Sequence, residues 1–168
     1  MILIFYILYF LQINFFSWFN IAGVKPNLFV ILVLVIGLFV GRNVAIPFGF
    51  FCGLYLDMLA GSQIGISALV YAGIGFLGGY FDKNFSKDSK ITILLMVAGC
   101  TLLYEVVTYF YMIIRNGIPL QFLGFLKIMI IEIIFNVLLT IILYPLIKTV
   151  GYSMENIFKS KKILTRYF

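Results

Sequence analysis

Residues 47–65 read PFGFFCGLYLDMLAGSQIG. Within them Gly49, Gly53, Asp57, Gly61 and Gly65 recur at a spacing of four. On an α-helix, residues four apart stack on one face. The stretch from Gly49 to about Leu59 therefore predicts a helix carrying a stripe of small residues, broken at Gly61 and Ser62. Small residues at this spacing let two helix backbones approach closely. Asp57 stands on the same stripe near the helix C-terminus, in surroundings that are otherwise almost wholly apolar. The stripe is expected to be the seam against which other helices, or another protein, pack.

The rest of the chain says what kind of helix this is. Of 168 residues, 64% are hydrophobic and only 11% are charged, with a mean hydropathy of +1.15. A soluble domain carries roughly 25% charged residues, so there is too little polar surface here to coat a water-soluble globule. The composition predicts an all-α integral membrane protein. A hydrocarbon core about 30 Å thick takes roughly 20 apolar residues per helix, which allows about six transmembrane helices with short loops. Residues 1–150 form one transmembrane domain on this reading, and residues 151–168 a basic cytoplasmic tail.

Read in order, the chain opens on an apolar run with no basic residue before Lys25 and no small-residue cleavage site, so residues 2–19 are expected to be a retained first span. Gln12 and Asn14 within it should face protein, and Trp18 suits the membrane interface. Asn27 can cap the second span, from about Leu28 to Gly41. The third starts near Asn43 and ends near Ala60; spans two and three are short for a bilayer. The fourth runs from about Ile66 to Phe81, with Ala68, Ala72, Gly75, Gly78 and Gly79 as another close-packing face. The fifth runs from about Ile91 to Ile114. The sixth starts between Leu120 and Leu126 and ends between Pro145 and Val150.

The net charge of +6 does not point to nucleic acid, because the basic residues lie at helix ends and in the tail. With six spans, Arg42, Lys83, Lys87, Lys90, Lys148 and the tail cations Lys159, Lys161, Lys162 and Arg166 share one side. Lys25, Arg115 and Lys127 share the other. The excess of cations marks the cytoplasmic side, which places both termini in the cytoplasm.

Three acids fall inside predicted spans: Asp57, Glu105 and Glu132. Each costs about 2.5–3.5 kcal/mol at mid-membrane on insertion scales, so each needs a partner, a proton or water. All three fall in the outer half, the half that holds Lys25, Arg115 and Lys127. Asp57 is expected to pair with Lys25 or Arg115, because an anion at a helix C-terminus opposes the dipole. Glu132 and Asn136 share a face, as do Glu105, Thr108 and Tyr109. Three roles stay open for these groups: clamps between helices, a partner-binding or ligand-binding cluster, and an ion pathway.

Catalysis, metal and cofactor chemistry find no support. The chain contains no histidine, no phosphate-binding glycine loop and no cysteine cluster at metal spacing. Cys52 and Cys100 lie in apolar runs and read as small core residues.

The pattern resembles the bacterial rod shape-determining protein MreD family. The resemblance rests on Lys25-Pro26-Asn27 before the second span, then the P-x-G-x-x-x-G-L-x-x-D run from Pro47 to Asp57. It continues with Gly61 and Gly65, Ala68-Leu69, the glycine-rich end of the fourth span, and Glu132, Asn136 and Pro145. An acid often follows the proline in this family, and Asn27 stands there instead. The resemblance implies a non-enzymatic inner-membrane component of the cell-elongation (rod) complex. Its implied partners are an MreC-like bitopic membrane protein, the actin-like MreB cytoskeleton, and a RodA-type glycosyltransferase with a class B penicillin-binding protein, the polymerase and transpeptidase of peptidoglycan. Membrane lipids surround it. The implied architecture is similar to the substrate-binding subunits of energy-coupling-factor vitamin transporters, and such a subunit is the alternative reading of the chain. On either reading Gly49, Gly53, Asp57, Gly61, Gly65, Glu105, Glu132 and Asn136 are the interaction or packing candidates, with Lys25, Arg115 and Lys127 as charge partners. A reporter fused at the C-terminus is expected to be active only in the cytoplasm; an external signal would reverse the assigned orientation.

Overall fold

A computed structural model describes residues 2–61, 65–84, 89–117 and 121–164. Ser62 of the expected break, Lys87, and Arg166 of the tail lie outside the described residues, as do the side chains of Lys83, Lys159, Lys161 and Lys162. The described residues form six helices. The first, α1, is α-helical over Ile2–Phe10, π-helical over Leu11–Phe15 and α-helical again over Phe16–Trp18. It is followed by α2 (Leu28–Val40), α3 (Arg42–Ala60), α4 (Ile66–Asn84), α5 (Lys90–Asn116) and α6 (Phe122–Leu164). Two long helical stretches, Lys90–Arg115 and Phe122–Phe158, are apolar enough to cross a membrane, and Ile4–Phe15, Leu28–Val40 and Ile66–Asp82 are shorter apolar helices.

The helix α2 is the centre of the assembly. Its sequence LFVILVLVIGLFV has no polar face, and a helix that is apolar all round belongs inside. Every residue in it except Leu32 is buried, and it packs on α3, α4, α5 and α6. From α1, the Phe5 ring meets Phe29 of α2 and Tyr55 of α3, each with centroids 5.4 Å apart. Thirteen residues at about 1.5 Å each give roughly 20 Å, short of a bilayer core. Because protein rather than lipid surrounds it, α2 has no thickness to match.

Against this core, α3 and α4 form the tightest pair. A methyl group added at Gly49 would lie 2.5 Å from the Tyr71 carbonyl oxygen, and one at Gly53 would lie 2.5 Å from the Ala68 backbone. In return Gly75 of α4 sits against the Ala45 carbonyl, while Gly78 meets Leu34 and Gly37 of α2. The expected close-packing face of α4 is thus in place, with Ala68, Gly75, Gly78 and Gly79 buried. Cys52 and Cys100 are buried free thiols, as expected of core residues.

Some sequence expectations need correction. The stripe of five does not run on as one seam. Gly61 (φ +66°) and Gly65 (φ +104°) have open space where a side chain would go; they serve the turn between α3 and α4, where only glycine adopts such backbone angles without strain. The Gly61 N–H closes α3 on the Asp57 carbonyl at 3.1 Å. Asn14 does not face protein: it is exposed, and its amide donates to the Phe10 carbonyl one turn back at 3.1 Å. The sixth helix runs on beyond the expected end of its span, to Leu164, 43 residues in all. At about 1.5 Å per residue that is roughly 65 Å, twice a bilayer core. Gly151, read as the start of a tail, is buried against the Phe39 ring, and Tyr152 meets that ring edge-on at 5.2 Å.

The close approach of α3 and α4 is testable. Gly53→Ala must push the α4 backbone away and should cost about 1–3 kcal/mol, the usual range for overpacking. Gly99→Ala on α5 meets nothing within 4 Å and should be neutral or stabilising by up to about 1 kcal/mol through helix propensity. Thermal unfolding in detergent of the two variants beside the parent checks both signs.

Candidate functional site

Polar residues of several helices converge at the N-terminal end of α2. Asn27 is the hub, and it is there because it caps α2: its side-chain oxygen accepts from the Val30 N–H at 3.3 Å. The same oxygen accepts from the Tyr71 hydroxyl of α4 at 3.0 Å. The Asn27 backbone N–H donates to the Asn136 side-chain oxygen of α6 at 2.8 Å. The Asn136 amide in turn donates to Thr101 Oγ1 of α5 at 3.0 Å, and Thr101 donates to the Val97 carbonyl at 2.8 Å. Asn136 and Thr101 are fully buried. One asparagine thus ties four helices, α2, α4, α5 and α6, through side chains that leave none of these donors idle.

From α1, Gln12 joins the same end of the fold. Its amide donates to the Pro26 carbonyl at 2.6 Å, and its oxygen accepts from the Leu28 N–H at 3.1 Å. Those groups precede and open α2, where the helix has no donors or acceptors of its own to match them. Gln12 therefore faces protein, as expected, while Tyr71 and Tyr104 stack beside it at 5.3 Å between α4 and α5.

Asp57 fills a related role. One of its carboxylate oxygens accepts from the Gly65 N–H at 2.8 Å and from the Ser67 N–H at 3.1 Å. Both donors belong to the first turn of α4 and its approach, where N–H groups have no partner within the helix. The acid at the end of α3 thereby caps α4 across the turn, and the positive end of the α4 dipole offsets the negative end of α3. The structure gives Asp57 these two N–H groups as partners, which the sequence alone did not suggest.

A cavity of about 430 Å³ opens beside these groups, lined among others by Gln12, Lys25, Asn27, Asp57, Tyr104 and Glu132. Of the expected cluster, Lys25, Asp57 and Glu132 thus share one wall system, with Asn136 one helical turn behind Glu132. Glu105 is half-buried on α5 with its carboxyl next to that of Glu132. Glu132 is only 7% exposed, and its Oε1 has no hydrogen-bond partner. Arg115 and Lys127 are exposed and do not line this cavity; the Arg115 guanidinium donates to the Tyr111 hydroxyl at 3.2 Å. Among the described residues no group of three or more His, Cys, Asp or Glu side chains could hold a metal ion.

Sequence reading singled out Asp57, Glu132 and Asn136 but passed over Tyr71, Thr101 and Tyr104. The signal for them was weak but present: polar side chains inside otherwise apolar runs, which in a membrane must find protein partners. Removing the hub partner should show its weight. Asn136→Leu leaves the buried Asn27 N–H without its acceptor, while the Thr101 hydroxyl keeps the Val97 carbonyl, and should destabilise by about 1–3 kcal/mol, the cost of one unmet buried group. Asp57→Ala should cost about 1 kcal/mol as a lost cap, and Asp57→Asn less, because an amide oxygen still accepts. Thermal or denaturant unfolding of the three purified variants ranks them.

The chain was compared with known proteins on this footing. No curated protein and no solved structure was found to match it. The profile of the family described as rod shape-determining protein MreD matches residues 1–150, a span that contains Asn27, Asp57, Glu132 and Asn136. The match covers every helix but the last part of α6, and the chain belongs to the MreD family of non-enzymatic, multi-pass membrane proteins that determine rod shape.

Proposed function

We propose that this protein is an inner-membrane scaffold of the cell-elongation complex. It binds an MreC-like bitopic membrane protein and works with the actin-like MreB cytoskeleton, a RodA-type glycosyltransferase and a class B penicillin-binding protein to direct lateral peptidoglycan synthesis. All six helices cross the membrane in an arrangement similar to the substrate-binding subunits of energy-coupling-factor transporters, with both termini and residues 151–168 in the cytoplasm. The observation that carries the reading is the family match over residues 1–150. The physical character of the fold supports it. A helix enclosed by four others, a seam at backbone contact and a polar hub joining helix ends are features of a rigid body, and a scaffold must hold its outer faces in fixed relation.

A second reading, the substrate-binding subunit of a vitamin transporter, has the cavity of about 430 Å³ in its favour; ligand pockets commonly run from about 300 to 1,000 Å³. The two separate on one experiment. The tagged protein, extracted from its native membrane in mild detergent, is expected to carry an MreC-like bitopic protein, and its depletion should turn rods into spheres. Recovery of an ATPase module with a transmembrane coupling subunit, and normal shape after depletion, would select the transporter reading.

A further inference from the structure

We propose that Glu105 of α5 and Glu132 of α6 hold one proton between them, and that this shared proton closes the seam between the two helices. The property stands apart from the scaffold role. The register of the seam brings the two side chains together. On one side of them the Asn136 amide donates to Thr101 Oγ1 at 3.0 Å, and on the other the Tyr109 and Phe125 rings stack at 4.1 Å. Glu105 stands one helical turn from both Thr101 and Tyr109, and Glu132 lies between Phe125 and Asn136. Between antiparallel helices these contacts set the two acids at one level on facing sides, and their carboxyls meet.

Three features of the meeting point call for a proton. Two carboxylates in contact repel, and such a pair does not hold both charges. A hydrogen bond between carboxyls needs a donor, which only the protonated acid supplies. Glu132 is 7% exposed and its Oε1 has no hydrogen-bond partner; a bare buried oxygen costs less on a neutral acid than on a carboxylate. Tyr9 of α1, Lys25 ahead of α2, Asp57 of α3 and Tyr71 of α4 line the cavity that Glu132 borders, and Tyr104 of α5 faces both carboxyls. Lys25 and Asp57 carry opposite charges, and the tyrosines add none at neutral pH, so these neighbours leave the pair near its own balance. Glu105, half-buried, is the member through which the proton exchanges with water.

Infrared spectra of the full-length protein in mild detergent at neutral pH should contain the carbonyl stretch of one protonated carboxylic acid per chain, shifted in heavy water. Glu132→Gln gives an ionised Glu105 a permanent N–H donor, so the band should disappear while the fold is kept. Unfolding separates the two proteins as well. The folded parent holds a proton that the unfolded chain has released, so the stability it brings is present in full below the ordinary carboxylate range and is lost as rising pH strips the pair. The parent's unfolding midpoint should therefore drop between neutral and alkaline pH, and that of Glu132→Gln should drop much less. Absence of the band from the parent, as a pair kept ionised by Lys25 or by trapped water would give, overturns the proposal without any variant. A band of undiminished intensity in folded Glu132→Gln, or a drop of equal size in both proteins, overturns it as well.

Discussion

The constraint beneath this structure is that lipid offers no hydrogen bonds. A donor or acceptor within the hydrocarbon must be met by protein or by trapped water. Asn27 meets it most fully. Its side-chain oxygen takes the Val30 N–H and the Tyr71 hydroxyl, and its own N–H is taken by Asn136, which hands on to Thr101. Singly such bonds are modest: interhelical hydrogen bonds in membranes average about 0.6 kcal/mol. Their weight lies in what happens when geometry fails, because each unmet buried group costs about 1–3 kcal/mol. A shift of α6 by one turn would strand several groups at once, and the network selects one register of four helices more than it deepens the fold's overall stability.

The seam between α3 and α4 answers a different need. Lipid tails are as apolar as leucine, so helices in a bilayer gain little by leaving lipid for each other. What remains is close contact, since dispersion falls steeply with distance. Gly49 and Gly53 on one side, Ala68 and Gly75 on the other, bring backbone against backbone. Asp57 then closes the pair at the turn, capping α4 from the end of α3. Packing fixes how near the two helices run, and the cap fixes where along each other they stop.

What could be read from the chain follows the range of the interactions involved. Membrane class came from bulk composition, and the helices from apolar runs between breakers. The seam at Gly49 and Gly53, the cap at Asn27 and the shared face of Glu132 and Asn136 are local periodicities, and the structure holds each of them. The bond between Asn27 and Asn136 spans 109 residues, and no spacing rule reaches that far. The cap that Asp57 makes on α4 was hidden for a related reason: the turn through Gly61 and Gly65 folds two backbone N–H groups onto the carboxylate. Pro145 lacks an N–H and lies inside α6. The helix continues through it, as spanning helices tolerate when neighbours and side chains absorb the freed carbonyl, and Phe39 and Tyr152 hold the far segment in place. The enclosure of α2 was hidden too, since an all-apolar helix reads the same whether lipid or protein surrounds it.

These features divide the molecule along its length. Below the hub, α2 is buried among apolar side chains. At the hub the helices are held by polar side chains, and a cavity opens beside them. Rigidity and the polar recess thus arise from one arrangement of residues, with α2 supplying the fixed axis and Asn27, at its first turn, deciding how the other helices end around it.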